Sequence, residues 1–240
     1  MFHPEGPTFL ELARQALSST REGYQLLAPK FDHTPFRTPD EILAAVFAHQ
    51  APVETALDLC CGTGAALSHL RRLTSRQVVG LDFSANMLAE AGRTWDRETR
   101  AGAATPSEGL TLLEGDVLDL ALPARFDLIT CFGALGHIPR RDQQAFVVAV
   151  RRALRPGGRF VLVTAHAPGP GQAAYWLGRG FNLAMDLRNL CWPGRFVMYY
   201  LTFLLPEART LLTGAGFHCR LLDPLPCPWP GRLVMLTASV

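Results

Sequence analysis

The residues best suited to chemistry begin at Leu57-Asp-Leu-Cys-Cys-Gly-Thr-Gly64, an apolar run that breaks into a glycine turn. Gly62 and Gly64 let a backbone curl beneath a ligand, and a helix starting after them would offer its free N–H groups there. A dinucleotide fingerprint wants a third glycine at position 67, where the chain has Leu67. A nicotinamide dinucleotide is therefore disfavoured, whereas a nucleoside is not. The next apolar run, Val78-Val-Gly-Leu-Asp82, ends in a carboxylate where an acidic side chain can accept hydrogen bonds from ribose hydroxyls. Asp82 could instead serve a helix N-terminus, but Ser84 already stands ready as that helix's cap. Phe83 and Met87 would offer apolar surface to a purine or join the core.

Cys60 and Cys61 raise the question of metal or redox chemistry. Adjacent strand residues point to opposite faces, which argues against a shared metal. The six cysteines contain no C-x-x-C spacing and make no disulfide framework, so they are expected to be reduced, small core residues. No carboxylate and histidine cluster has ligand spacing in the sequence, and no metal is expected.

These residues need a scaffold, and the hydrophobic pattern supplies one. Short apolar or β-branched runs at 55–60, 77–82, 110–114, 126–131, 159–164, 217–222 and 232–237 predict strands. Amphipathic stretches at 65–73, 85–95, 141–154 and 206–213 predict helices between them. Several strands are apolar on both faces, as in a parallel sheet covered on each side. Arg155-Pro-Gly-Gly158 is expected to end one helix and launch the next strand, and 97–109 to form an exposed loop. Two regions stand outside the rhythm. Residues 1–50 look like an N-terminal helical cap, with amphipathic segments at 9–17 and 39–48, and 166–204 is a long interruption.

With 240 residues, 48% of them apolar, the chain can bury a sizeable core. Its formal charge of +2 gives no support to nucleic-acid binding. No apolar run approaches the ~18–20 residues of a membrane span. The first residues show neither a basic n-region nor an apolar h-region, so a cytoplasmic location is expected.

Taken in order, the glycine turn, Asp82, Glu114-Gly-Asp116, "FDLITCFGALGHI" and the Pro-Gly-Gly turn resemble the class I S-adenosylmethionine-dependent methyltransferases, in the branch acting on small molecules. The resemblance covers 53–165 closely and 205–238 more loosely. It implies a Rossmann-like α/β fold: a seven-stranded, mostly parallel sheet with helices on both faces and an antiparallel last strand inserted between the fifth and sixth. It divides the chain into a cap at 1–50, a cofactor domain at 51–165 and 205–240, and an insertion at 166–204. Position by position, it implies that Asp58, Gly62 and Gly64 shape the pocket for the methionine part of S-adenosyl-L-methionine. Asp82 would bind the ribose, Asp116 the adenine amino group, Val117 the ring edge, and Cys131 would lie beneath the sulfonium. Cys60 stands where the family's pattern has its first glycine, and its sulfur would have to be accommodated at the cofactor.

Methyl transfer mainly needs the acceptor aligned with the methyl group, and a base only where the acceptor is protonated. His137 is the candidate base, against a reading in which it merely walls the pocket. His166 is a weaker candidate near the acceptor. The aromatics of the interruption, Tyr199 among them, would suit an apolar or aromatic acceptor or pack the insertion down. Phe31 is read as a lid contact and Arg37 as a partner for the cofactor carboxylate. A small-molecule acceptor is thus the expected partner, a homodimer stays open, and the competing reading is a non-catalytic nucleoside-binding or dimerisation protein on the same fold.

Overall fold

A computed structural model of the chain describes residues 3–119, 122–192, 194–227 and 233–240. Its strands are β1 (Val53–Leu59), β2 (Thr74–Asp82), β3 (Leu110–Glu114), β4 (Phe126–Cys131), β5 (Leu154–Ala165), β6 (His218–Leu222) and β7 (Leu233–Ser239). They form one seven-stranded sheet in the order β3-β2-β1-β4-β5-β7-β6. Every pair from β3 to β5 is parallel, and β7 runs antiparallel to both β5 and β6. The fold expected from the sequence is therefore present. Position 232 of the expected last strand lies outside the described residues.

The helices are α1 (Phe9–Leu17), α2 (Thr20–Leu27), α3 (Asp40–Phe47), α4 (Ala65–Leu73), α5 (Ala85–Arg100), α6 (Gln143–Ala153), α7 (Ala173–Cys191) and α8 (Leu205–Gly214). Two apolar layers sandwich the sheet. One joins Leu57, Leu59 and Ile129 to Phe146, Val150 and Leu212 from α6 and α8. The other joins Ala56, Val78 and Leu128 to Leu43, Leu70 and Ala91 from α3, α4 and α5. β1 and β4 alternate between the two layers, which explains strands that read apolar on both faces.

Three elements depart from the sequence pattern. Arg155–Gly158 does not separate α6 from β5; it lies inside β5 as a bulge, where pairing jumps from Phe126↔Leu154 to Leu128↔Arg159. Gly157 takes φ 78° to admit the extra residues, and a Cβ on Gly158 would lie 2.8 Å from the Phe126 carbonyl oxygen. α5 runs past Trp95 to Arg100 because α4 holds its last turn. The buried Arg71 donates to the Trp95 carbonyl and to Thr99 Oγ1, each at 2.9 Å, while Ser68 donates to Glu98 at 2.7 Å. α2 begins at a capping box, in which Ser19 accepts from the Glu22 N–H and the Glu22 side chain accepts from the Ser19 N–H. The sequence signature of this start is Ser19-Thr-Arg-Glu22.

Order reverses between β1 and β4, and ligands bind beyond the carboxyl ends of strands at such a point. The opposite end of the pair is fastened by Asp127. Its Oδ2 accepts from the Glu54 and Thr55 N–H groups at 3.1 and 2.8 Å and from Thr55 Oγ1 at 3.0 Å. The Arg155 guanidinium pairs with its other oxygen. Asp127→Ala leaves these donors without their acceptor and is expected to cost about 2–4 kcal/mol in urea unfolding, with little effect on the sheet's far end.

Candidate functional site

At the carboxyl end of β1 the chain turns sharply left. Cys60, Gly62 and Gly64 have φ of 56°, 53° and 90°. Glycine adopts this region freely, whereas a side chain at φ > 0 costs roughly 1–2 kcal/mol, so Cys60 is strained. A thiol is small enough to be held there by its surroundings. The Cys60 thiol is hydrogen-bonded to the Cys131 thiol, and this contact together with burial raises its pKa well above the usual thiol range. Gly64 is required for packing as well as for φ, since a Cβ would meet the Ala91 Cβ at 3.1 Å. It lets α4 approach α5.

Asp82 ties the turn in place. Its Oδ2 accepts from the Gly62 N–H and its Oδ1 from the Ser84 N–H, both at 2.9 Å. Ser84 then caps α5 by accepting from the Met87 N–H at 3.3 Å. Desolvation raises the Asp82 pKa to about 6 despite these donors. Asp58, at the end of β1, accepts a 2.6 Å bond from Thr130 Oγ1. Burial drives its pKa to about 7, with repulsion from Asp82 adding to the shift. Neither carboxylate has a cationic partner among the described residues. Two buried carboxylates in this state suit a ligand rich in hydrogen-bond donors or positive charge.

Both line a cleft of about 100 Å³ that opens to solvent, narrower than the ~300–1,000 Å³ usual for small-molecule sites. Of the residues singled out from the sequence, the structure brings together Asp58, Cys60, Gly62, Asp82, Phe83, Met87, Phe31, Arg37 and His137 around this space. Gly64 and Cys131 support its floor from behind. Asp116 and Val117 do not reach the lining. Asp116 is exposed beyond β3 and accepts from the Leu118 N–H at 2.9 Å, while Val117 turns into the core. His166 is outside too, its Nε2 2.7 Å from Asp223 Oδ2. Tyr199 lines a separate cleft and donates to Asp186 Oδ1 at 2.8 Å. Arg37 faces the cleft while held between Asp32 at 3.3 Å and Asp40 at 3.0 Å.

The cover of the cleft comes from the N-terminal segment, through Tyr24 of α2, Phe31, Phe36, Arg37 and Thr38. The 166–204 interruption lines another cleft with Trp176, Tyr199 and Tyr200, and reaches the first only through His137. There Nδ1 donates to the Val197 carbonyl oxygen, and Nε2 accepts from the Tyr24 hydroxyl at 2.7 Å. This is the neutral tautomer, and burial lowers the ring's pKa. Tyr24 is the functional candidate missed in the sequence. Its own hydroxyl is driven upward by desolvation and by the charge of Asp82. His3, Glu5 and His33 come close enough at the N-terminal surface to hold a cation, a grouping no sequence spacing shows, and none of the three lines the cleft.

Comparison with known proteins fits this geometry. Residues 56–158 match the family model for a methyltransferase domain. Over that stretch the chain is similar to methyltransferase domains. It is 38% identical over 123 residues to a 2-phytyl-1,4-naphtoquinone methyltransferase of Trichormus variabilis, covering 49% of each chain. With a demethylmenaquinone methyltransferase of Desulfitobacterium hafniense it shares 33% over 153 residues, 62% of this chain and 56% of that one. The chain thus spans about half the length of the curated relatives it matches. Among solved structures, the DhpI–SAH complex superposes with a TM-score of 0.64 at 24% identity, over 97% of this chain and 98% of that one. Magnesium protoporphyrin IX methyltransferase of Synechocystis with bound SAH gives 0.57 at 20% identity, over 83% and 81%. The resemblance to S-adenosylmethionine-dependent methyltransferases and the Rossmann-like fold drawn from the sequence are borne out.

Asp58 offers a direct check on the site's electrostatics. Its folded pKa of about 7 lies above the ordinary aspartate value of 3.8, so the native state keeps a proton that the unfolded chain releases. Stability from this group is full below pH ~4 and falls as pH rises through 7. Asp58→Asn keeps an acceptor for Thr130 and removes the charge. Its gain in unfolding free energy over the wild type is expected to be about 2–3 kcal/mol larger at pH 8 than at pH 5.

Proposed function

We propose that the chain is an S-adenosylmethionine-dependent methyltransferase acting on a small, apolar or aromatic acceptor. The observation that carries this reading is the buried Asp82 at the switch point, fixed by the Gly62 and Ser84 N–H groups and facing the cleft. Asp82 would accept from the ribose hydroxyls, Phe83 and Met87 would flank the base, and Asp58 would lie below the methionine part. Arg37 would release one of its two carboxylates to meet the cofactor's own. The bound cofactor supplies a methyl group activated on a sulfonium. The no-turnover reading, a nucleoside-binding protein on the same fold, has no observation of its own to favour it.

The apolar lining of Tyr24, Phe31, Phe36, Leu43 and Phe132 supports an apolar or aromatic acceptor. The names of the curated relatives, which specify naphthoquinone and menaquinone chemistry, support the same class. For a hydroxyl acceptor, Tyr24 is the group that touches it. As the methyl group arrives, the acceptor's proton passes to the Tyr24 oxygen while the Tyr24 proton passes to His137 Nε2, leaving an imidazolium held by Val197. His137 is a positioning group and proton sink acting through Tyr24.

Calorimetry with S-adenosylhomocysteine tests the cofactor site. The wild type should bind, and Asp82→Ala should bind at least about tenfold more weakly; absence of binding by the wild type overturns the proposal. Donation from ribose favours ionised Asp82, whose free value is about 6. Binding at pH 6 should therefore release protons, read as an enthalpy that depends on the buffer, and affinity should fall as pH drops below 6.

Tyr24→Phe separates the acceptor chemistry from cofactor binding. It should leave S-adenosylhomocysteine affinity within about threefold while cutting turnover of reduced naphthoquinones and phenols by about 10²-fold. The loss should shrink as the phenol becomes more acidic. An equal loss for every phenol assigns Tyr24 a merely structural part.

A further inference from the structure

Among the described residues, α7 is a long helix whose outward face is apolar and exposed. Gly178, Phe181, Met185 and Asn189 turn toward the body of the protein, and a Cβ on Gly178 would lie 2.8 Å from Leu201. On the opposite side Trp176, Leu183, Leu187 and Leu190 are 63%, 59%, 54% and 82% exposed, and Trp176, Gly180 and Leu183 also border the cleft that Tyr199 and Tyr200 line. No charged residue interrupts that side. An apolar stripe of this extent on a monomer marks an interaction surface.

The spacing of the stripe identifies its occupant. Ala173, Trp176, Gly180, Leu183, Leu187 and Leu190 follow one another at alternating steps of three and four, the spacing of a two-helix coiled-coil seam, and the exposed Leu177, Ala184 and Cys191 widen it on one flank. Laid antiparallel on a second copy, the seam complements itself. Ala173 meets the second copy's Leu190, Trp176 meets its Leu187, and Gly180 meets its Leu183, so small residues oppose large ones in two of the three layers. Gly180 has no atom within 4 Å of an added Cβ, so nothing inside the chain calls for a glycine that costs a helix about 1 kcal/mol. A partner's leucine does call for one.

Charge fits the same arrangement. Arg179 and Asp186 flank the seam on one side, and in antiparallel pairing each falls beside the other's counterpart between the central layers, twice per dimer. Asp186 receives the Tyr199 hydroxyl on Oδ1, which leaves its second oxygen for a guanidinium. A parallel pairing sets Trp176 against Trp176 and Gly180 against Gly180, and loses the charge match. The flank carries one charge of each sign, so it gives no excess of positive charge for an anionic bilayer.

We propose that α7 is the interface of a two-fold symmetric homodimer, paired antiparallel through the Trp176–Leu190 seam. The interface is isologous and closes on itself. A helix of 19 residues is about 28 Å long, and one such seam covers less than the ~800 Å² per partner of a standard interface. The dimer is therefore expected to be weak and concentration-dependent.

Sedimentation equilibrium of the full chain between about 1 and 200 µM tests the pairing without reference to activity. The wild type should pass from monomer to dimer across that range, and Leu187→Glu should stay monomeric with an unchanged circular dichroism melt. Asp186→Arg should weaken association at least tenfold, and combining it with Arg179→Asp should restore it. A wild type that remains monomeric at 200 µM overturns the proposal, including the case in which that monomer instead floats with phosphatidylcholine or phosphatidylglycerol vesicles. A dimer indifferent to Leu187→Glu, or a double swap that restores nothing, overturns it as well.

Discussion

The site depends on one carboxylate held by two backbone N–H groups. Asp82 ends β2, yet its oxygens bind the turn after β1 through Gly62 and the start of α5 through Ser84. Three segments that meet only at the sheet's edge are thereby fixed to one another, and the loop that forms the cleft floor cannot open without releasing them. The arrangement asks for a short acidic side chain at a strand end and a bare backbone opposite it. Gly62 meets the second requirement, since a Cβ there finds only Phe31 at 3.8 Å, while its φ of 53° suits glycine. The cost is a desolvated charge, which appears as the raised pKa of Asp82 and, through repulsion, contributes to that of Asp58.

That cost also explains why the cleft is selective. A buried carboxylate lining an aromatic cleft gains most from hydroxyl or cationic donors and would be penalised by an anion. Asp58 and Asp82 are themselves buried, so each hydrogen bond made to them counts for more than it would at the surface. Fold and electrostatics thus point the same way, although neither alone distinguishes one donor-rich ligand from another.

Much of this was legible in the sequence because it rests on local rules. The glycine turn, the carboxylate at the end of β2, the Ser84 cap and the two-faced apolar strands each state their own geometry. What the sequence concealed depends on contacts between distant segments. Tyr24 has no motif, and its part follows from α2 crossing the cleft to meet a histidine far along the chain. The cover was expected partly from the aromatic interruption, but those aromatics fold around α7 and a different cleft. Asp116 is exposed beyond β3 with its side chain turned to Leu118, a conformation no spacing could foretell.

Cys60 shows how such long-range contacts permit a local exception. Its backbone sits where glycine is at ease, and the strain of a side chain there must be offset by what surrounds it. The neighbour is Cys131, at the end of β4 and directly paired with Leu59, so the strand that reverses the sheet's order also supplies the thiol that receives Cys60. The pair of cysteines in the opening turn is therefore divided between the two layers. Cys61 packs on the side of α4 and α5, and Cys60 against the β4 side. Neither thiol is poised for redox or metal chemistry, since the hydrogen bond with Cys131 together with burial drives Cys60 upward, burial drives Cys61 upward, and both stay protonated. Their value is size: each fills a crowded bend that a larger side chain would force open, and the bend is what brings Gly62 within reach of Asp82.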